Sequence, residues 1–248
     1  MSTLYFNDNN TKYSFRTEDG ISLGHQLNTS GNTPRAWYSS NPSIHAIQQE
    51  GFTGDTRLGG SVNSNEVSLQ PHNHGTHTEC YGHIAKERVA LSEVFNGYIG
   101  LASLHTTNLP YGAPIDAGCL PKSSHPALIL RTNLEGFRAK DFSNSEPSYI
   151  SPKAMEAIVA LGVKHLLIDL PSVDPEFDQG ALLAHRIFWG YQNGTFTRTS
   201  CTITEMARIP RHVQDGEFVI SLQTLDWESD AVPSNPVLYP VKKEVEQE

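Results

Sequence analysis

Hydrophobic and polar positions alternate along the chain in short segments that predict a series of strands interrupted by helices. Residues 98–106 and 127–131 are apolar runs typical of strands, and residues 61–69 show the imperfect alternation of a half-buried strand. Helical spacing of apolar residues begins at Pro152, which suits the first turn of a helix, and ends at Gly162. The middle of the chain is therefore expected to pass from strands into a helix.

The last third of the chain continues this alternation. An apolar run at residues 163–170 predicts a buried strand, helical spacing follows at 179–191, and residues 202–209 and 217–225 are strand-like. Strands and helices in this order are typical of a mixed α/β sheet. Because 248 residues can bury one large core, we expect a single domain over residues 1–248 with a mixed β-sheet core and flanking helices.

Composition bears on the compartment of the protein. Apolar runs stay well short of the roughly 18 residues that a membrane helix needs, and the first residues lack the apolar stretch of a signal peptide. The three cysteines lie far apart and form no C-x-x-C pair, so neither a disulfide framework nor a zinc ribbon is indicated. We therefore expect a cytoplasmic protein with no membrane partner.

Charge and motif content argue against several further classes. The formal net charge is −9, from 27 acidic and 18 basic residues, and no cluster of lysine and arginine stands out, which argues against a nucleic acid partner. The sequence has no G-x-S-x-G elbow, P-loop or G-x-G-x-x-G turn, so serine hydrolases, P-loop nucleotide triphosphatases and Rossmann folds lack their first requirement. A small molecule is the expected partner.

The strongest chemical pattern is the segment PHNHGTHTECYGHI at residues 71–84. Five potential metal ligands surround its glycine: His72, His74, His77, Glu79 and His83. Imidazole and carboxylate donors at such short spacing are what a Zn²⁺ or Mn²⁺ site needs, because a short loop turns several side chains toward one point. The same pattern is also compatible with a polar loop whose histidines hydrogen-bond to the backbone.

This segment resembles the signature of the metal-dependent cyclase family of hydrolases, which includes bacterial kynurenine formamidases and isatin hydrolases. The signature is H-x-G-T-H-x-D-x-P-x-H, and this chain has N-H-G-T-H-T-E-C-Y-G-H from Asn73 to His83. The upstream run G-S-V-N and the downstream runs L-I-L-R-T, I-D-L-P-S-V-D-P, A-H-R-I-F and T-E-M-A-R-I fall in the family's order. The resemblance covers about residues 20–225 and implies the family's mixed α/β fold.

The resemblance also implies a role for each matching residue. By position, Asn73, His77 and Glu79 match the family's metal ligands, and the closing histidine of the motif, His83, completes the metal site together with the late glutamate, Glu205. Glu205 and the helical histidine, His185, match the catalytic residues. Without the resemblance, a histidine on an apolar helix, such as His185, is ordinarily a core histidine. Glu205 among apolar strand residues already indicates a partner, because an unpaired buried carboxylate is costly. Asp174 lies in the run P-S-V-D-P, where a turn is sufficient to explain it.

Two departures from the signature bear on the metal. Asn73 replaces the first histidine, and Glu79, longer by one methylene, replaces the aspartate. An amide oxygen holds Zn²⁺ less firmly than imidazole does and suits Mn²⁺ better. His72 or His74 could take the place of Asn73 only through a one-residue slip or a bulge, because neighbouring residues of a strand face opposite sides. We expect the unslipped register, with Asn73 as a ligand.

The resemblance implies hydrolysis of a C–N bond in a small formamide, amide or lactam, by a water that a zinc or manganese ion activates. His185 would move the protons, a task suited to an imidazole. A homodimer or homotetramer is expected. Two alternatives stay open. One is a catalytically silent member with a metal site eroded at Asn73, which binds a small molecule or serves as an assembly subunit. The other is a metal enzyme with different chemistry on the same scaffold.

Overall fold

A computed structural model describes residues 2–8, 11–132 and 141–244. Within these ranges the strands are β1 Thr3–Asp8, β2 Thr11–Arg16, β3 Ile21–Ser22, β4 Ser43–Ala46, β5 Gln48–Gln49, β6 Phe52–Thr53, β7 Asn65–Ser68, β8 His77–Glu79, β9 Tyr98–Thr107, β10 Ala127–Thr132, β11 His165–Ile168, β12 Tyr191–Gln192, β13 Thr195–Phe196, β14 Thr202–Glu205, β15 Gly216–Leu222, β16 Ala231–Pro233, β17 Val237–Pro240 and β18 Lys242–Glu244. The α-helices are α1 Leu91–Val94, α2 Pro152–Ala160 and α3 Leu183–Phe188. Short 3₁₀ helices lie at Thr17–Asp19, Thr56–Leu58, Pro71–Asn73, Tyr81–His83 and Ala117–Cys119.

The main sheet has four parallel strands at its centre, β14, β11, β10 and β9. Over the described residues its order is β16-β8-β14-β11-β10-β9-β15-β17-β3, and the strands outside the central four run antiparallel to their neighbours. The predicted mixed α/β fold is therefore confirmed, in the form of a curled mixed sheet with few helices.

Both longer helices pack against one face of the parallel strands. Ser151 caps α2 by accepting a hydrogen bond from the backbone N–H of Ala154 (3.3 Å), and Met155 and Ile158 of this helix are buried. They share a core with alternate strand residues: Leu128, Leu130, Leu166, Ile168 and Ile203. A second apolar cluster from β9, β10, β11, β15 and β17 covers the other face, as expected where a sheet curls on itself.

Most predicted elements agree in type with the structure. The segments predicted for β9, β10, α2, β11 and β15 form those elements. The strand predicted at residues 202–209 is shorter and stops at Glu205, because Met206 adopts a φ of 49°, in the left-handed region that strands do not contain. The helix predicted at residues 179–191 is reduced to α3, because Leu182 at its start has a φ of 46°.

The prediction of a half-buried strand at residues 61–69 that runs into the histidine cluster is wrong. Its extended part is β7, which pairs with β4 in an exposed two-stranded ribbon outside the main sheet. Val67 therefore lies in solvent instead of contributing to the core. The 3₁₀ helix Pro71–Asn73 then separates this ribbon from β8.

Among the residues that the structure describes, no helix combines the length and the apolar character needed to cross a membrane.

Candidate metal centre

The centre of the candidate site is β8, which lies between β14 and β16 in the main sheet. Side chains alternate along a strand, so His77 and Glu79 face the same side of the sheet. In the antiparallel register with β14, Glu205 is directly opposite His77. The imidazole Nε2 of His77 lies 3.5 Å from the carboxylate Oε2 of Glu205. The pairing of β8 with β14 therefore brings Glu205 beside His77 and Glu79, although Glu205 is far from both in sequence.

The orientation of His77 leaves one ring nitrogen available to a metal. Its Nδ1 lies 3.0 Å from the carbonyl oxygen of Gly75. A carbonyl can only accept, so Nδ1 carries the hydrogen, and in the neutral ring Nε2 carries the lone pair. Nε2 of His77 and Oε2 of Glu79 are both fully buried, and neither makes a hydrogen bond of good geometry. Because an unsatisfied buried nitrogen or carboxylate oxygen is costly, this pair fits a bound cation.

His72 contributes a third donor to this point. It lies on the 3₁₀ helix Pro71–Asn73, and its Nδ1 is 3.1 Å from Oε2 of Glu79. Its other nitrogen, Nε2, is 2.7 Å from Oδ2 of Asp230. Possible ligand atoms of His72, His77 and Glu79 all lie within 4.8 Å of one another.

The register argument that favoured Asn73 over its neighbours is wrong, because the chain is a 3₁₀ helix and not a strand at this point. The side-chain amide of Asn73 donates instead to Oε1 of Gln70 (2.6 Å). His74 is held away from the cluster: its Nδ1 accepts from the backbone N–H of Gln70 (2.9 Å), and its Nε2 donates to the carbonyl of Ser40 (2.7 Å). Of His72, Asn73 and His74, it is thus His72 that reaches the carboxylate of Glu79. The structure gives Asn73 no contact with that carboxylate.

His83 borders the same carboxylate from the 3₁₀ helix Tyr81–His83. Its Nδ1 lies 3.8 Å from Oε2 of Glu79 and 3.6 Å from Oδ2 of Asp230. Its ring stacks against that of His72 with the centroids 4.2 Å apart. Asp230 precedes β16 and was missed by sequence analysis, because no motif marks it and it is about 150 residues away in the chain.

His185 lies on α3 and is held by Asp174. The Oδ2 atom of Asp174 is 2.6 Å from Nδ1 of His185, and its two oxygens also accept from the backbone N–H groups of Ala184 and His185. Nε2 of His185 points at two further carboxylates, 3.2 Å from Oε1 of Glu79 and 3.7 Å from Oε1 of Glu205. The turn interpretation of Asp174 is therefore incomplete, since this carboxylate also orients the ring of His185.

The structure thus brings together five of the residues singled out by sequence: His77, Glu79, His83, His185 and Glu205. It adds Asp174 and Asp230, and it also includes His72, which sequence analysis had weighed only as a replacement for Asn73. Glu205 is fixed further by the backbone N–H of Val173, which donates to its Oε1 (2.9 Å).

Charge within the cluster is shared between imidazoles and carboxylates. Burial lowers the pKa of His72 and of His185, but hydrogen bonds and charge from Asp230, Asp174 and Glu79 outweigh it and raise both pKa values to about 10. Burial raises the pKa of Glu79, but His83, His185 and His72 hold it well below its usual range. Without a metal, protons on the imidazoles balance the carboxylates, and a cation would displace them.

A cavity of about 360 Å³ opens onto this cluster. His185 and Glu205 line it together with the apolar side chains of Trp37 and Leu182. Trp37 and Leu182 have φ values of 57° and 46°, a left-handed conformation that is uncommon for large side chains and is found preferentially at functional sites. The size of the cavity suits a small molecule.

The sequence model of the Cyclase family matches residues 21–175, so the chain belongs to that family. Among solved structures with the same fold, a novel cyclase has a TM-score of 0.67 at 14% identity, over 91% of this chain and 88% of that one. A potential metal-dependent hydrolase with cyclase activity has a TM-score of 0.62 at 14% identity, over 89% and 98%. Isatin hydrolase A from Labrenzia aggregata has a TM-score of 0.59 at 12% identity, over 89% and 93%. The family resemblance seen in the motif is therefore confirmed.

Proposed function

We propose that this protein is a metal-dependent hydrolase that cleaves the C–N bond of a small formamide, amide or lactam. The observation that carries the proposal is the pair of buried atoms, Nε2 of His77 and Oε2 of Glu79, which lack hydrogen bonds beside the His185–Asp174 pair. Similar folds in a metal-dependent hydrolase and in an enzyme that hydrolyses isatin, itself a lactam, support it.

In this proposal, His72, His77 and Glu79 hold the metal. Two imidazoles and one carboxylate form a donor set that suits Zn²⁺ and also Mn²⁺. When bound, a divalent cation would polarise the scissile carbonyl and make water more acidic. Glu205 and His83, which border these donors, would orient them or hold a second ion.

In this proposal, His185 moves the protons. Asp174 accepts from Nδ1, which leaves Nε2 to exchange a proton in the cavity. Because Glu79 is one of the carboxylates that raise the pKa of His185 to about 10, neutralising Glu79 would lower that pKa toward the range needed for general base catalysis. His185 would then take a proton from the attacking water and deliver it to the leaving nitrogen.

The remaining expectations are part of the same proposal. We expect one domain over residues 1–248, a cytoplasmic location and a homodimer or homotetramer. Sedimentation of the purified protein would measure its oligomeric state.

The test is an assay of the protein after metal removal by a chelator and reconstitution with Zn²⁺ or Mn²⁺. Formanilide and isatin represent the formamide and lactam classes. We expect hydrolysis by the reconstituted protein, none by the metal-free protein, and a large loss in His185→Ala but not in His45→Ala, which changes an exposed histidine of β4. A protein that binds no metal and hydrolyses no member of a wider amide panel would instead support the catalytically silent alternative. Metal binding without hydrolysis would support a metal enzyme with different chemistry.

A further inference from the structure

Asp230 approaches the candidate metal centre from the far end of the chain. Its backbone is fixed to the central strand, because the N–H of Cys80 donates to the carbonyl oxygen of Asp230 (3.0 Å). The next residue, Ala231, is paired with Glu79 in the register of β16 with β8. The position of Asp230 relative to Glu79 is therefore set by the sheet and not by a free loop.

The ring of His72 bridges these two carboxylates. Nε2 lies 2.7 Å from Oδ2 of Asp230, and Nδ1 lies 3.1 Å from Oε2 of Glu79. An ionised carboxylate can only accept, so the short contact with Asp230 requires a hydrogen on Nε2 of His72. In the neutral ring, Nδ1 then carries a lone pair that faces a carboxylate oxygen. Two facing lone pairs repel unless a proton or a cation lies between them.

We propose that Asp230 is a positioning residue: it fixes the tautomer and the orientation of His72, so that His72 replaces the imidazole missing at Asn73 as a metal ligand. The proposal rests on the metal site of the proposed function. A carboxylate that accepts from the outer nitrogen of a metal-binding histidine both orients the ring and makes the inner nitrogen more basic.

The main competing role for Asp230 is that of a direct ligand to a second ion, with His72 and His83. The three residues do offer donor atoms within 4.8 Å of one another. However, Nε2 of His72 is already hydrogen-bonded to Asp230, and Nδ1 of His83 is 3.6 Å from the same oxygen. The geometry therefore favours one ring held by Asp230 over two rings that share an ion with it.

The test compares Asp230→Ala and Asp230→Glu with the matched control Asp226→Ala, which removes an exposed carboxylate from the same segment. Zinc affinity is measured by competition with a chromogenic chelator at fixed pH, and zinc stoichiometry by elemental analysis. Because a positioning role predicts a spectroscopic change, the ring ¹⁵N shifts of His72 are recorded in the zinc-loaded protein and assigned with His72→Ala. Circular dichroism checks the fold of each variant.

We expect Asp230→Ala to weaken zinc binding by about 10- to 100-fold at unchanged stoichiometry. The zinc-bound Nδ1 signal of His72 should shift or broaden, Asp230→Glu should recover part of the affinity, and Asp226→Ala should match the wild type. Unchanged affinity and an unchanged His72 signal in Asp230→Ala would overturn the inference, as would the loss of one whole zinc equivalent, which would make Asp230 a ligand.

The two proposals can fail separately. If the wild type binds zinc but Asp230→Ala binds it equally well, Asp230 has no positioning role and the proposed function is unaffected. If the expected affinity and ¹⁵N changes occur in a protein without hydrolytic activity, the inference stands and the proposed function fails. If the wild type binds neither Zn²⁺ nor Mn²⁺, both are wrong.

Discussion

Nδ1 of His185 lies 2.6 Å from Oδ2 of Asp174, and the same carboxylate accepts the backbone N–H groups at the start of the helix that carries this histidine. One buried side chain thus satisfies the first turn of α3 and fixes the ring. Burial raises the pKa of Asp174, but its hydrogen bond and charge interaction with His185 outweigh burial, so the pKa is lowered. The orientation of His185 is therefore built into the fold before any ligand binds.

Replacing His185 with Ala should lower turnover far more than metal content. General acid–base catalysis contributes about 10²- to 10⁴-fold, so a loss in that range is expected for kcat. Elemental analysis of the same preparation should find the wild-type amount of metal. Parallel losses of turnover and metal would show that His185 is a ligand and not the group that moves protons.

Asp174→Asn should also lower kcat, because an amide can present its N–H₂ to the ring and allow the other tautomer of His185. Because Asp174 raises the pKa of His185, the variant should keep this base neutral to lower pH, so the loss should be smaller at low pH and larger at high pH. The pH profile of kcat for wild type and variant measures this effect. An unchanged kcat and pH profile would mean that the 2.6 Å contact serves only the helix.

Asn73→His and His72→Ala together test which of the two residues occupies the ligand position. Since the amide of Asn73 bonds to Gln70 and not to the cluster, the added imidazole should leave zinc affinity unchanged, whereas His72→Ala should weaken it by at least about tenfold. Chelator competition with both variants distinguishes the two positions. A gain in zinc affinity in Asn73→His would restore Asn73 as the ligand position.

Much of the fold follows from patterns that sequence analysis can detect. Residues 98–106 and 127–131 are long apolar runs because their strands are buried at the centre of the sheet. The ends of other elements were not predictable, because Leu182 and Met206 adopt a left-handed backbone conformation that nothing in their side chains favours. The N–H of Met206 donates to the distant carbonyl of Leu170, and the N–H of Leu182 donates to the carboxylate of Asp178.

The site was predictable only where a motif carries it. His77, Glu79 and His83 lie within one short segment, and the family order of downstream runs indicated His185 and Glu205. Asp230 and His72 join the site through the pairing of β16 with β8 and through a 3₁₀ turn. Neither the partner of an edge strand nor a single turn of 3₁₀ helix leaves a periodic pattern in sequence.

Adding a side chain at Gly75 should destabilise the fold and weaken metal binding. Its φ is +64°, and a Cβ there would lie 3.0 Å from Cδ2 of Leu27. Gly75→Ala should lower the free energy of unfolding by about 1–2 kcal/mol and should weaken metal binding, because its carbonyl orients His77. Gly51→Ala is the matched control, with a φ of +75° and nothing within 4 Å of the new Cβ. Equal unfolding energies and equal metal affinities in the two variants would contradict this prediction.

His165, which lies outside the candidate metal centre, should make the free energy of unfolding depend on pH. Burial between the rings of Tyr98 and Phe95 lowers the pKa of His165 from 6.5 to about 4, with a smaller contribution from Lys164. The folded state therefore keeps His165 neutral where the unfolded chain binds a proton. This stability is present above pH 6.5 and is lost as the pH falls toward 4.

Urea unfolding of wild type and His165→Gln at pH 7.5 and pH 5 measures the effect. From pH 7.5 to pH 5 the wild type should lose about 2 kcal/mol more than His165→Gln. His45→Gln, which removes an exposed imidazole, should follow the wild type. If His165→Gln loses as much stability as the wild type over this range, His165 does not contribute to the pH dependence.

The central claim is that His77 and Glu79 hold a divalent ion, and elemental analysis of the purified protein tests it most directly. Wild type and the variants His77→Ala and Glu79→Gln are incubated with equal concentrations of Zn²⁺ and Mn²⁺ and then desalted. The account predicts at least about one equivalent of metal in the wild type and a large loss in both variants. A wild type without bound metal, or variants that retain the full amount, would contradict it.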